Sequence, residues 1–339
     1  MKTKYILTLI ALITAMSQSQ ATSYIWVGNI SSDYQNPLNW NPNTGYPDSA
    51  DHVSISTGTY NLVLSQNQKI SNLTLSSKTI DLNGYSLTVY GTATMTSGTV
   101  TDGDFIARGN LAAFNGTLMD CIVDANCGYI RLSGSTFNET ADFADQGVAT
   151  GNGTGGCTFN DDVTITHNGT LTYFNLGGTL GDVFNGNVTF TNHSNRELNI
   201  AVNSNTNFLG NVILNSTSTG GILIGSSSGS ATLASGKTIS IGSSGFAADY
   251  LTLRNFTQSG STAQTLTLTS TAIVNMISCT FNGNLTVSSP GFLLKNSIFN
   301  GTSSFTRTAT SGNYQSDGGN AFNGSVTVDN SGTSGRIRW

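Results

Sequence analysis

Residues Phe184-Asn185-Gly186-Asn187-Val188-Thr189-Phe190 decide the fold, because variants of this stretch recur along the chain. Aligned on the phenylalanine, the copies fall at Phe114, Phe137, Phe159, Phe184, Phe208, Phe281, Phe299 and Phe322. The spacing is nearly constant except for the long step from Phe208 to Phe281. That step is about three periods, so it should hold coils that lack the phenylalanine. A repeat of this length marks stacked units that bury their apolar faces only against one another.

Within a copy, apolar residues stand four and six places after the phenylalanine. Val163 and Ile165, Val188 and Phe190, Val212 and Leu214, Leu285 and Val287, and Val326 and Val328 all obey this. Phe114 fits less well, because Asp120 falls at its sixth place. Apolar, polar, apolar is the pattern of a strand with one buried face. Asn follows the phenylalanine in seven of the eight copies, with Leu209 the exception, and Gly comes next in six. Both residues tolerate positive φ, so the pair predicts a sharp corner. Stacked Asn side chains can also hydrogen-bond from coil to coil as a ladder. A second apolar strand lies between copies, at 171–176, 198–202, 222–224, 273–277 and 292–294. The prediction is an all-β fold: a parallel β-solenoid, a right-handed β-helix, with coils of about 22–25 residues.

Composition fits this reading. Only 9% of the 339 residues are charged, against roughly 25% in an average globular protein. Apolar residues at 37%, held in register, exclude a disordered low-complexity chain. The net charge is −5, Lys and Arg are scattered, and no phosphate-cradling loop occurs. These features exclude a nucleic-acid-binding protein.

In chain order, residues 1–21 read as a secretory signal peptide. Lys2 and Lys4 precede the apolar run 6–16, and Ser19-Gln20-Ala21 supplies small residues for cleavage. The apolar run is too short to span a bilayer, and no later segment is apolar enough to do so. Residues 22–60 hold Trp26, Trp40, Pro37, Pro42 and Pro47 and read as an N-terminal cap over the open solenoid end. The alternative is a small module that stacks sugars on Trp26 and Trp40. Residues 61–339 should then make roughly twelve coils, a rod some 55 Å long at about 4.8 Å per coil. The last residues, Arg336-Ile337-Arg338-Trp339, look like a strand just beginning. The array is therefore expected to be truncated at its C-terminus.

The opening Trp26-Val27-Gly28, Leu38-Asn39-Trp40, Pro47 and Asp51 resembles the start of large secreted surface proteins of Bacteroidetes. The copy that begins Cys157-Thr158-Phe159-Asn160-Asp161-Asp162-Val163, and the stretch from Ala231 to Gly242, are similar to their repeat arrays. This resemblance covers nearly the whole mature chain. It implies a secreted, extracellular or cell-surface protein. Members of that group often end in a sorting domain for type IX secretion, and none is visible here.

Chemistry is concentrated at residues 102–131. Asp102 and Asp104 share a face on a strand, Asp120 and Asp124 follow near one coil on, and Arg108 and Arg131 are separated by one such period. Stacked carboxylates repel unless a cation lies between them, and oxygen-rich clusters suit calcium. An Arg beside such a site serves as the base in some β-helical pectate lyases, an analogy at the level of fold. Exposed corner Asp residues with no role beyond the turn are the competing reading.

Other candidates are thinner. His167 and His193 are expected on adjacent coils, in exposed bends, and two His do not make a metal site. Glu139 and Glu197 lie between two and three coils apart and make a poor glycosidase pair. Cys157 and Cys279 are about five coils, or roughly 24 Å, apart, too far to bridge. Each stands where Ser135 and Ser297 stand in other copies. Cys121 and Cys127 are close enough in sequence to close a short loop. Asn-X-Ser/Thr triplets are frequent, as a chain rich in these residues must have them.

Two functions follow as expectations. One is a structural stalk or adhesin-like surface, whose Thr/Ser/Asn-coated faces contact extracellular glycans or neighbouring cells. The other is a polysaccharide lyase or hydrolase using Asp102, Asp104, Arg108, Asp120, Asp124 and Arg131.

Overall fold

Three short strands build the regular coil, two of them fused in the early coils as Thr79–Val89, Thr99–Ala107 and Leu118–Cys127, and successive coils stack through parallel ladders. Thr158–Phe159, Val163–His167 and Phe174–Asn175 pair with Val183–Phe184, Val188–Asn192 and Leu198–Ile200 of the next coil. The computed structural model describes residues 21–149, 153–269, 271–309, 313–332 and 336–338. The signal segment, apart from Ala21, lies outside them. The described chain is a parallel β-solenoid of about 13 turns with almost no helix. No helix among the described residues is long and apolar enough to cross a membrane.

The phenylalanine column is the spine of the core. Phe137, Phe159, Phe184 and Phe208 align rung on rung. Their rings stack nearly parallel, with centroids 5.1, 4.8 and 5.3 Å apart. Leu233 and Gln258 carry the column across the long step to Phe281, Phe299 and Phe322. That step does hold three periods.

Phe114 does not belong to this column. It pairs with Met95 and Leu132 on the third face of the coil. Below Phe137 the column runs through Met119, Val100 and Ile80. The first coils are therefore shorter than predicted, with Val100, Met119 and Phe137 set closer along the chain than Phe159, Phe184 and Phe208.

At the corner after the phenylalanine, glycine serves a different purpose from the one predicted. Neither Asn185 nor Gly186 has positive φ. Instead the backbones of successive coils approach too closely for a side chain. A Cβ on Gly210 would lie 2.0 Å from the carbonyl oxygen of Gly186, and one on Gly324 would lie 2.5 Å from that of Gly301. Gly210→Ala is thus expected to lower stability by about 1–3 kcal/mol, the usual cost of overpacking. A thermal melt would show it, and an unchanged midpoint would contradict the close approach. Positive φ is found at the corner after the third strand, at Gly177, Ala201, Gly225, Asn255, Ser278, Asn296 and Gly318.

The asparagine ladder forms as expected. Asn160 Nδ2 donates to Asn138 Oδ1 at 2.7 Å, and Asn185 Nδ2 donates to Asn160 Oδ1 at 2.6 Å. It stops at Leu209 and resumes at Asn282, Asn300 and Asn323. Coil 258–269 departs from the rule because two glutamines, Gln258 and Gln264, take buried apolar positions. The Gln264 Oε1 accepts from the backbone N of Ile239 at 2.8 Å, and its Nε2 donates to Lys237 O at 3.0 Å. In other coils a backbone carbonyl of the next coil meets this N–H, as Asn211 O does for Val188. The amide side chain thus stands in for a missing ladder bond, which a buried N–H requires.

The first coil is covered by aromatic rings. Trp26 and Trp40 are 0% and 1% exposed and meet edge to face at 4.9 Å. Tyr34 packs on Trp40 at 5.1 Å. Trp26 Nε1 donates to Tyr60 O and Trp40 Nε1 to Tyr34 O, at 2.9 and 2.7 Å. Burial and these bonds leave neither indole free to stack on a sugar, so the Trp platforms are corrected to core residues. Buried Asn39 ties the cap loop by accepting from the backbone of Ile30 and Ser31.

Candidate functional site

Irregular pairing creates the depression where several candidate acids meet. Strands Thr79–Val89, Thr99–Ala107 and Leu118–Cys127 slip in register at Asp81/Tyr85 and Asp120/Ile122. Bulges of this kind leave a residue unpaired and re-aim side chains. Asp102 is the bulged residue, with φ +56°. The result is a shallow cavity of about 380 Å³ whose lining includes Asp102, Asp104, Asp120, Cys121, Ile122 and Glu139.

Only part of the predicted six-residue site assembles there. Asp102, Asp104 and Asp120 line the cavity, joined by Glu139. Asp120 accepts from Asn138 Nδ2 at 3.0 Å and so ends the asparagine ladder. Arg108 instead grips Asp124 with both terminal nitrogens, Nη1 to Oδ1 at 2.8 Å and Nη2 to Oδ2. Arg131 is on another face of the coil, 5.5 Å above the Tyr129 ring, beside a separate cavity of about 340 Å³. Among the described residues no group of three or more His, Cys, Asp or Glu is arranged to hold a metal ion.

All four cysteines are free and buried. Cys121 and Cys127 are not bridged. Burial, then the charges of Asp120 and Asp104, push the Cys121 thiol up to about 12. Burial likewise raises Cys127 and Cys279 to about 11 and lifts Cys157. Thiols held protonated in this way are not nucleophiles. Cys157 and Cys279 do occupy the position of Ser135 and Ser297. That position faces an N–H of the preceding coil: Ser135 Oγ accepts from Thr117 N, and Ser297 Oγ from Cys279 N. Asp182 fills it after Cys157 and accepts from Cys157 N at 3.0 Å.

A polar row runs inside the solenoid where exposed bends were expected. Cys127, Asp145, His167, Asn192 and Ser216 align on consecutive rungs. His167 is fully buried, with Nδ1 3.2 Å from Asp145 Oδ2. His167 Nε2 and Asp145 Oδ1 have no hydrogen-bond partner among the described residues. His193 is exposed, but its ring meets Thr217 Oγ1 at 2.5 Å rather than His167. The two histidines flank a coil step and point to opposite sides, so they form no pair. The row was legible: in Val163-Thr164-Ile165-Thr166-His167, alternation places residue 167 inward with Val163 and Ile165.

Fold and site together define a β-solenoid repeat protein with a shallow acidic depression near its N-terminal end. Compared with known proteins, the chain matches no family model, no curated protein and no solved structure.

Proposed function

We propose that the protein is a secreted or cell-surface solenoid that acts as a rigid stalk and adhesive surface. The observation that carries this reading is the unbroken stack: the same inward column passes from Ile80 to Phe322 with every rung paired. A structure in which each unit touches only its neighbours grows in one dimension and suits spacing or display. Export rests on the opening Lys2, Lys4 and apolar run, and on the resemblance to secreted Bacteroidetes surface arrays. Type IX export belongs to the same proposal. Extracellular glycans or neighbouring cells are the partners its polar faces fit.

A second reading is favoured by the cavity in which Asp102, Asp104, Asp120 and Glu139 meet. There the protein would be a lyase or hydrolase acting on acidic polysaccharide through these carboxylates. One experiment separates the two. Calcium is titrated by calorimetry while absorbance of unsaturated product is followed on polygalacturonate. The stalk reading expects no product, whether or not calcium binds. Product formation that Asp104→Asn abolishes would replace it with the enzyme. Small-angle scattering tests the stalk itself, which requires a stiff rod and fails if the particle is compact.

A further inference from the structure

The outer side of the third face, in the C-terminal half, carries a groove that neither reading above uses. Its floor is the row Asn199, Leu223, Thr252, Asn275 and Leu293, on five consecutive rungs. Five rungs span about 20 Å along the axis. Two cavities, of about 490 and 420 Å³, lie along this row and share Ser227, Arg254 and Ile277, so they are continuous. At one end Tyr250 donates its hydroxyl hydrogen to Glu197. Its ring lies over Gly221, where a Cβ would come within 2.2 Å of Tyr250 Cε2. At the other end Lys295 pairs with Asp317 at 2.8 Å.

Arg254 stands at the junction of the two cavities. Its guanidinium has no hydrogen-bond or ion-pair partner among the described residues. The neighbouring rung on one side is Gly225, which carries no side chain to cover it. The other charges of the groove, Lys295 with Asp317 and Glu197 with Tyr250, are already engaged. A planar guanidinium matches carboxylate or sulfate with two parallel hydrogen bonds. Around it the floor offers hydroxyl and amide groups: Asn275 Nδ2 donates to Thr252 Oγ1 at 3.1 Å, which leaves the Thr252 hydroxyl hydrogen to donate. Leu223 and Leu293 add apolar patches suited to the C–H face of a sugar ring.

From these observations we propose that the groove binds an extended acidic glycan lying along the solenoid axis, with Arg254 holding a carboxylate or sulfate. Asn199, Thr252 and Asn275 take the sugar hydroxyls. This deepens the adhesive reading above and rests on it. Other polymers fit less well. An added peptide strand needs an open sheet edge, and Asn199, Leu223, Thr252 and Asn275 stand on strands paired on both sides. A nucleic acid needs a run of cations and stacking faces, whereas the groove has one unengaged cation among the described residues and the chain is −5 overall.

The test is calorimetric titration of the full chain with three oligosaccharide probes at fixed salt. These are galacturonate oligomers for carboxylate, heparin-derived oligomers for sulfate, and cello-oligosaccharides as the neutral control. At least one acidic probe should bind, and Arg254→Gln should weaken it by about tenfold or more, the value of a charged hydrogen-bonded contact. Ser227→Trp, which fills the groove from its rim, should weaken the same probe while a thermal melt stays unchanged. The two acidic probes distinguish a uronate from a sulfated ligand. Equal binding by wild type and Arg254→Gln, tighter binding of the neutral probe, or displacement by a single-stranded oligonucleotide would overturn the assignment. Failure of every acidic probe would overturn it too, while leaving the scattering length to decide the stalk.

Discussion

Phe208→Asp is expected to divide the solenoid into two independently folded stacks. Phe208 is fully buried, stacked on Phe184 at 5.3 Å and set edge to face with Phe190 at 6.1 Å. Removing the ring forfeits about 3–5 kcal/mol of burial and packing. The new carboxylate adds a desolvation cost with no partner in the column. The total is roughly 5 kcal/mol or more, applied at a single interface between coils. Because stability in a repeat array is carried by nearest-neighbour contacts, the damage should stay local. Limited proteolysis should cut near residue 208 and leave two resistant fragments. Phe208→Leu, which keeps most of the volume, should cost under about 1.5 kcal/mol and leave one fragment. A Phe208→Asp protein that melts like wild type would show that the column is not the spine of the fold.

The second large effect is a pH dependence centred on Asp182. This carboxyl is buried, and burial pushes it up to about 6 despite accepting backbone N–H groups from Cys157, Gly177 and Gly156. The folded state therefore holds the proton more tightly than the unfolded chain does. Its stabilising contribution is fully present below about pH 4 and is lost as pH rises through about 6. The distance from the ordinary carboxylate value corresponds to about 3 kcal/mol. Asp182→Asn keeps an oxygen for the Cys157 N–H and carries no charge. It should raise the melting midpoint at pH 7 and make little difference at pH 4. If the gap between the two proteins is the same at both pH values, Asp182 is not buried as an acid.

How much of this is legible in the sequence depends on whether a residue's role is set by its own strand or by the next coil. Alternation within a strand fixes the inward set Val188 and Phe190, and the regular Asn residues fix the ladder. Phe114-Asn115-Gly116 carries the same local signal as the true copies, yet it lies on the third face. Asp120 at its sixth place marks a misfit, but only the pairing with Met95 and Leu132 a whole coil away reveals the face it belongs to. The corner glycines show the same limit. Their local chemistry predicts positive φ, but the requirement comes from the carbonyl of the adjacent coil. At the site, Asp102, Asp104 and Asp120 are legible because their spacing follows the coil. Glu139 reads locally as half of a poor glycosidase pair, whereas its real neighbours are these three acids. Arg131 joins them only if the period of the later copies is applied here, and Val100, Met119 and Phe137 show that the local coils are shorter. The Arg254 groove has no motif to announce it, since its parts come from five different coils.

Coil length varies at one corner above all. A single residue, Gly128, joins Cys127 to Tyr129, and a single residue, Pro290, joins Ser289 to Gly291. At the same corner residues 168–173 join His167 to Phe174, and 193–197 join Asn192 to Leu198. Around these four joints the flanking strands keep unbroken ladders with their neighbours. This corner is therefore a natural splice point, where foreign loops can be grafted and changed freely while the rod beneath keeps its pitch.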